Sequence, residues 1–256
     1  MPSWALPWAS VIGVLVLFDV LPRIGLLPRA SFPPLFDTLG TLADQLTQSS
    51  FWNAVGNTLE GWALGLGIAA AMAIPLGIVI GSGRLLYRAC RFLIEFLRPI
   101  PSVALIPLAI LIYGTGLSSK IFLAVFATFW QLLVQVLYGV QDVDPVATDT
   151  ARSFGFTRAQ RLFRVTLPSA VPYIATGLRI GSAVSLILCV TAELVIGSTG
   201  LGRSINVARS GGDVQLMYAL TIATGLLGLG LNGVFVWGER RVLHWHPSYR
   251  RGQEAT

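Results

Sequence analysis

Long runs without a charge set the first limit on this chain. Residues 61–83 lie uncharged between Glu60 and Arg84, 99–119 between Arg98 and Lys120, 121–141 between Lys120 and Asp142, and 214–238 between Asp213 and Glu239. Each can cross the ~30 Å hydrocarbon core of a bilayer as a helix. Two further apolar stretches join them: residues 8–21, broken by Asp19, and 170–196, carrying Arg179 and Glu193. Six transmembrane helices are expected, and the fold class is an all-α polytopic membrane protein. Composition points the same way. Of the 256 residues, 54% are apolar and 12% charged, against ~25% charged in a soluble domain. Intrinsic disorder and a soluble basic nucleic-acid-binding domain both fit such a chain poorly. The first span lacks a positive flank before it and a small-residue cleavage site after Phe18, so it reads as a retained anchor rather than a secretory signal.

Orientation follows from arginine, because the net charge of +6 includes a single lysine, Lys120. With both termini cytoplasmic, the inner side receives Arg84, Arg88, Arg91, Arg152, Arg158, Arg161, Arg164, Arg240, Arg241, Arg250 and Arg251, eleven in all. The outer side receives five: Arg23, Arg29, Lys120, Arg203 and Arg209. The positive side faces the cytoplasm, so termini inside is the expectation. Residues 1–50 then form an N-terminal transmembrane anchor and external segment, 51–246 the main transmembrane domain, and 247–256 a cytoplasmic tail. Gly61–Gly65, Gly77–Gly81 and Gly177–Gly181 each place two glycines on one helix face, which permits close helix approach. Pro75, Pro99, Pro101, Pro107 and Pro172 interrupt helical bonding inside apolar segments, a pattern tolerated where protein or a water-filled cavity satisfies the freed carbonyls. That favours a transporting protein over a simple anchor.

The cytoplasmic loop between the fourth and fifth spans, DVDPVATDTARSFGFTRAQRLFRVTLP over 142–168, carries full helix punctuation. Asp144 is a good N-cap and Pro145 suits the first helical position. Gly155 supplies the left-handed residue that ends this helix. Thr157 caps a second helix, with Gln160 three residues on completing a capping box. Pro168 is expected to stop that helix and push Leu167 toward an extended conformation. Arg158, Arg161 and Arg164 recur every three residues along it, beside Phe154 and Phe156. Aromatics next to arginines resemble interface anchors; the alternative is that the arginines only touch anionic headgroups.

DTARSFGFTRAQRLFRVTLP resembles the EAA loop of bacterial ABC-importer permeases, with Ala151, Gly155, Leu167 and Pro168 at their motif positions. Asp149 replaces Glu, Thr150 replaces Ala and Val165 replaces Ile. The resemblance covers roughly residues 51–245, and it implies a type I (MetI-like) permease fold with a cytoplasmic coupling helix. RPIPSVALIPLAILIYGTG, PSAVPYIATGLRIG and TAELVIGSTGLG are similar to segments of the subgroup importing nitrate, bicarbonate, taurine and aliphatic sulfonates. The resemblance implies two cytoplasmic ATPase subunits, a second permease protomer as a homodimer partner, an external or periplasmic binding protein, and a place in the bacterial inner membrane among its lipids. It assigns coupling to Asp149, Ala151, Gly155, Leu167 and Pro168, and Arg158 and Arg161 of the same loop are expected to join them. The implied cargo is a small anion, a sulfonate such as taurine or else nitrate, with a thiamine-precursor pyrimidine or aromatic acid as the alternative.

Other chemistries lack their residues. No Gly-x-x-x-x-Gly-Lys-Ser/Thr surrounds Lys120, so ATP-driven work on that plan must come from another chain. No nucleophile elbow or H-E-x-x-H is present, and the expectation is a transport subunit, not an enzyme, with no cofactor, no metal site and no nucleic-acid partner. His244 and His246 in HWHP make a poor metal site, and Trp237 and Trp245 suit the membrane interface. Cys90 and Cys189 read as small buried hydrophobes. A secondary transporter would show inverted repeats and paired intramembrane carboxylates, for which Glu193 offers no partner. Arg98, expected to pair with Glu95, Gln131 and Glu193 are the candidates for the translocation path; Arg179 reads as structural.

Overall fold

The computed structural model describes residues 5–243, and every regular element among them is helical. The first expected span coincides with α1 (Ala5–Arg23), and a short amphipathic helix, α2 (Leu35–Leu46), follows it. Arg23 ties the two together, reaching Asp19 at 2.8 Å and Asp37 at 3.0 Å. Beyond them α3 (Ser49–Ser82), α6 (Leu117–Gln141) and α9 (Leu167–Ile196) form the heart of the molecule. The last long helix is α11 (Val214–Val242). Four helical runs are long and apolar enough to cross a bilayer, namely α3, α6, the run Arg158–Ile196 and α11. A fifth is present if the bent pair described next counts as one span.

That pair corrects the third span. Residues 99–119 do not form one helix. Instead α4 (Arg84–Leu97) stops before Pro99 and Pro101, a single 3-10 turn covers Ser102–Leu105, and α5 (Ile106–Tyr113) departs at 78°. Two prolines remove two donors within three residues, and the chain turns rather than kinks. Lys120, expected as an outer loop charge, instead lies inside α6 and is buried.

Why α6 is central can be read from the glycines of its neighbours. A Cβ at Gly77 or Gly81 of α3 would stand 2.7 and 2.9 Å from Val136 and Val140. On α9, one at Gly177 would meet Leu132 at 2.8 Å. All three sequence pairs thus face α6, and close approach is their role. Leu132, Leu133, Val136, Leu137 and Val140 fill the inner half of this seam, with Ala73, Ala170 and Ile94. Toward the other end, Phe51, Val55, Leu201, Ile205 and Leu220 join α3 to α11 and to α10 (Leu201–Ser210). Trp62 of α3 donates to the Ser182 carbonyl, and Ser185 donates back to the Trp62 carbonyl, each at 3.1 Å. α11 is mostly unburied.

Candidate functional site

The loop forms the hairpin that its punctuation predicts. Asp144 accepts from the Val146 N–H at 2.8 Å and opens α7 (Pro145–Ser153). At the other end Gly155 takes φ +76°. The Gly155 N–H reaches the Arg152 carbonyl and the Phe156 N–H the Ala151 carbonyl, both at 3.0 Å. This crossed pair closes the last turn of α7 as a Schellman motif, and it uses Ala151 as the buried point on which the turn folds. Thr157 and Gln160 exchange both capping-box bonds, 3.3 and 2.8 Å, opening α8 (Arg158–Arg161).

Beyond α8 the expectation fails in an informative way. Leu167 is helical, φ −62° and ψ −49°, and Pro168 stands in the first turn of α9. A five-residue π turn, Leu162–Thr166, joins α8 to α9 without a break. Widening the helix by one residue per turn accommodates the proline, whose missing N–H and bulky ring would otherwise disrupt it. The second element is therefore the first part of a continuous 39-residue run, Arg158–Ile196.

Asp149, Phe154 and Arg158 point to solvent, with Phe154 79% and Val146 70% exposed. Phe156 is half-buried, and the Arg164 guanidinium lies 5.6 Å above its ring. Arg158 and Arg161 line a cavity of about 550 Å³ against the ends of α3 and α6. Leu167 and Pro168 are half-buried at the base.

The path candidates are not joined by any hydrogen bond or ion pair among the described residues. Arg98 is exposed at the end of α4. Its expected partner Glu95 is held by Arg91 instead, at 2.7 Å, since a spacing of four aligns the two side chains on one helix face. Gln131 is half-buried beside Trp130. Glu193 is fully enclosed. Lys120 Nζ donates to Glu193 Oε1 at 2.9 Å and to the carbonyls of Asn57 and Thr199 at 2.8 and 3.1 Å. All three ammonium protons are thereby used. Glu193 Oε2 accepts from Thr58 Oγ1 at 2.9 Å and from the Gly202 N–H at 3.0 Å. Thr58 in turn accepts the Leu201 N–H. A Cβ at Gly200 would lie 2.1 Å from the Glu193 carboxyl carbon, so the turn before α10 wraps the carboxylate with bare backbone. Sequence reasoning missed this network. Its signal was a lone lysine between two uncharged windows, seventy-three residues before a glutamate that precedes three glycines. Arg179 lies 3.6 Å from Glu239. The histidines and Trp245 of HWHP, and the tail 247–256, fall outside the described residues.

The fold is a helical membrane bundle bearing an exposed hairpin whose backbone is closed by its own caps. The protein belongs to the family of binding-protein-dependent transport system inner membrane components, which matches residues 73–244. It is 36% identical over 202 residues to the taurine transport system permease protein TauC of Escherichia coli, covering 77% of this chain and 72% of that one. It is 33% identical over 181 residues to the nitrate import permease protein NrtB of Synechocystis, covering 71% and 66%. The fold resembles a chain of the MetNI methionine ABC transporter in an inward-facing form, with TM-score 0.68 and 19% identity over 77% of this chain and 98% of that one. The protein is a multi-pass ABC-importer permease, and its relatives include permeases named for taurine, nitrate and bicarbonate transport. It is a transport component, not itself an enzyme, and it works with an ABC ATPase and a substrate-binding protein.

Proposed function

We propose that this permease carries a small anion, an aliphatic sulfonate such as taurine or else nitrate, across the bacterial inner membrane. α1 supplies a sixth span, both termini are cytoplasmic, and residues 51–246 form the transporting domain. Two copies of the chain enclose the path, and two ATPase subunits drive it. Asp149, Ala151, Gly155, Arg158, Arg161, Leu167 and Pro168 shape the element that the ATPases grip. On this reading Arg98 and Gln131 are polar positions for the path, and Glu193, a path candidate in the sequence but enclosed beside Lys120, serves the scaffold at the outer end instead. The observation that carries the reading is the hairpin itself. Its backbone is closed by its own caps while Val146 and Phe154 remain uncovered, as a docking element requires. The ATPases must contact it differently in two states, because only differential affinity shifts an equilibrium.

The test is uptake by the complete complex in vesicles supplied with ATP while the proton gradient is collapsed. Sustained uptake of taurine, another alkanesulfonate or nitrate is expected. Uptake that vanishes with the gradient would point to ion-coupled transport and overturn the proposal.

A further inference from the structure

Neither the hairpin nor the outer network uses Arg179. Its side chain, on α9 within the apolar run, is 37% exposed and lies 3.6 Å from Glu239. At that distance the contact is electrostatic and not a hydrogen bond. Across a groove between α9 and α11 stands Asn232, exposed on a helix that is apolar on either side of it. Asn232 precedes Glu239 by two helical turns, about 10 Å along the axis, which puts it inside the hydrocarbon layer. A carboxamide turned toward acyl chains at this depth is costly, and the Arg179 guanidinium lies at the end of the same groove nearer Glu239. The groove they share therefore opens on water or on a polar occupant. It encloses about 440 Å³, and its wall runs past Leu186 and Gly228 to Thr191 and Thr224.

We propose that this groove is the permease's own binding site for the transported anion, and that it favours a sulfonate on an apolar body over a bare inorganic oxyanion. The inference rests on the anion-importer reading and narrows it. The planar guanidinium presents paired donors that match two oxygens of a sulfonate, and the Asn232 amide supplies another. The remaining wall is mostly apolar, with Ser182, Thr191 and Thr224 its other polar residues. It offers little to the other oxygens of nitrate, but it gains from covering an alkyl chain. The ammonium of taurine finds no acceptor cluster there, so a simple alkanesulfonate fits better. Glu239 already holds part of the Arg179 field, which keeps binding weak enough for release, as permeation requires.

The test uses the assembled complex in nanodiscs, with Cys90→Ser and Cys189→Ser removing the native thiols. Asn232→Cys should react with an anionic, water-soluble methanethiosulfonate in at least one nucleotide state. Pentanesulfonate should slow that reaction about tenfold, and nitrate should not. Adding Arg179→Gln should leave the labelling and remove the protection. If that variant is not recovered, Arg179→Lys, which keeps the charge and loses the fork, should raise the pentanesulfonate concentration needed for the same protection about tenfold. No labelling in any state, equal protection by nitrate, or protection indifferent to both Arg179 variants would each overturn the site. Uptake by the wild-type complex separates the two levels of inference. Sulfonate uptake without protection at Asn232→Cys rejects the groove and leaves the importer reading intact. Absence of uptake for pentanesulfonate, taurine and nitrate alike rejects the anion reading, and with it this assignment.

Discussion

Lys120 and Glu193 are 1% and 0% exposed, yet every polar atom that they bury has a partner within the chain. A buried pair of this kind contributes little when intact relative to well-packed hydrophobes, but removing one member strands the other charge, at roughly 3–5 kcal/mol. Glu193→Leu is therefore expected to lower the thermal unfolding midpoint of the detergent-solubilised protein sharply. The double change Lys120→Met with Glu193→Leu should recover most of the loss. If the double variant is as unstable as the single one, the ammonium left behind is not the source of the damage. Gly200→Ala belongs with these variants. Its Cβ would press into the carboxyl group at 2.1 Å, from a backbone at φ +150° that side chains rarely adopt. Its expected signature is a loss of monodisperse protein on size-exclusion chromatography.

At the scale of elements, the hairpin yields two separable outcomes. Gly155→Val forces a β-branched residue to φ +76°, a conformation that costs side chains about 1–2 kcal/mol. Transport should fall while ATP hydrolysis and membrane insertion persist. Full transport would show that the turn has no part in coupling. Phe154→Ala leaves every backbone cap in place and removes the most exposed aromatic of the loop. If Phe154 is an anchor, ATPase affinity should drop by ~2 kcal/mol, about thirtyfold, in a titration of the purified subunits. Much of this element is legible in the sequence. Asp144, Pro145, Gly155, Thr157 and Gln160 act through local geometry, and local geometry is what sequence patterns record. Leu167 is where that logic stops. Pro168 alone argues for a helix end, whereas the burial of Ala170 in the core with residues of α6 is a tertiary contact that the local pattern does not record. The Lys120–Glu193 pair was hidden for the opposite reason, since its partners meet only after α3, α6 and α9 have assembled.

The whole molecule presents a polarised charge pattern around a largely apolar body. With Arg84, Arg88, Arg91 and the hairpin arginines on one side, a reporter active only outside the cytoplasm should be silent when fused after residue 256. An active fusion there would invert the proposed orientation. The bent arm α4–α5 carries Phe92 and Leu111 at 77% and 83% exposure, so one copy leaves much of its apolar surface to lipid or to its proposed twin. The glycine seams were readable as paired small residues, but their common target was not. That all three meet α6 follows from the tertiary arrangement alone.

The unbroken run from Arg158 to Ile196 spans ~58 Å at the ordinary helical rise. It begins beside the proposed docking surface and ends three residues beyond the enclosed Glu193. Midway, Gly177 and Gly181 rest against Leu132 and Thr128 of α6, where no side chain cushions the contact. On the coupling proposed above, a displacement of the run's inner tip is carried to the far end without a flexible joint, because Glu193 there is tied to Lys120 of α6 and Thr58 of α3, so the three helices shift as one block.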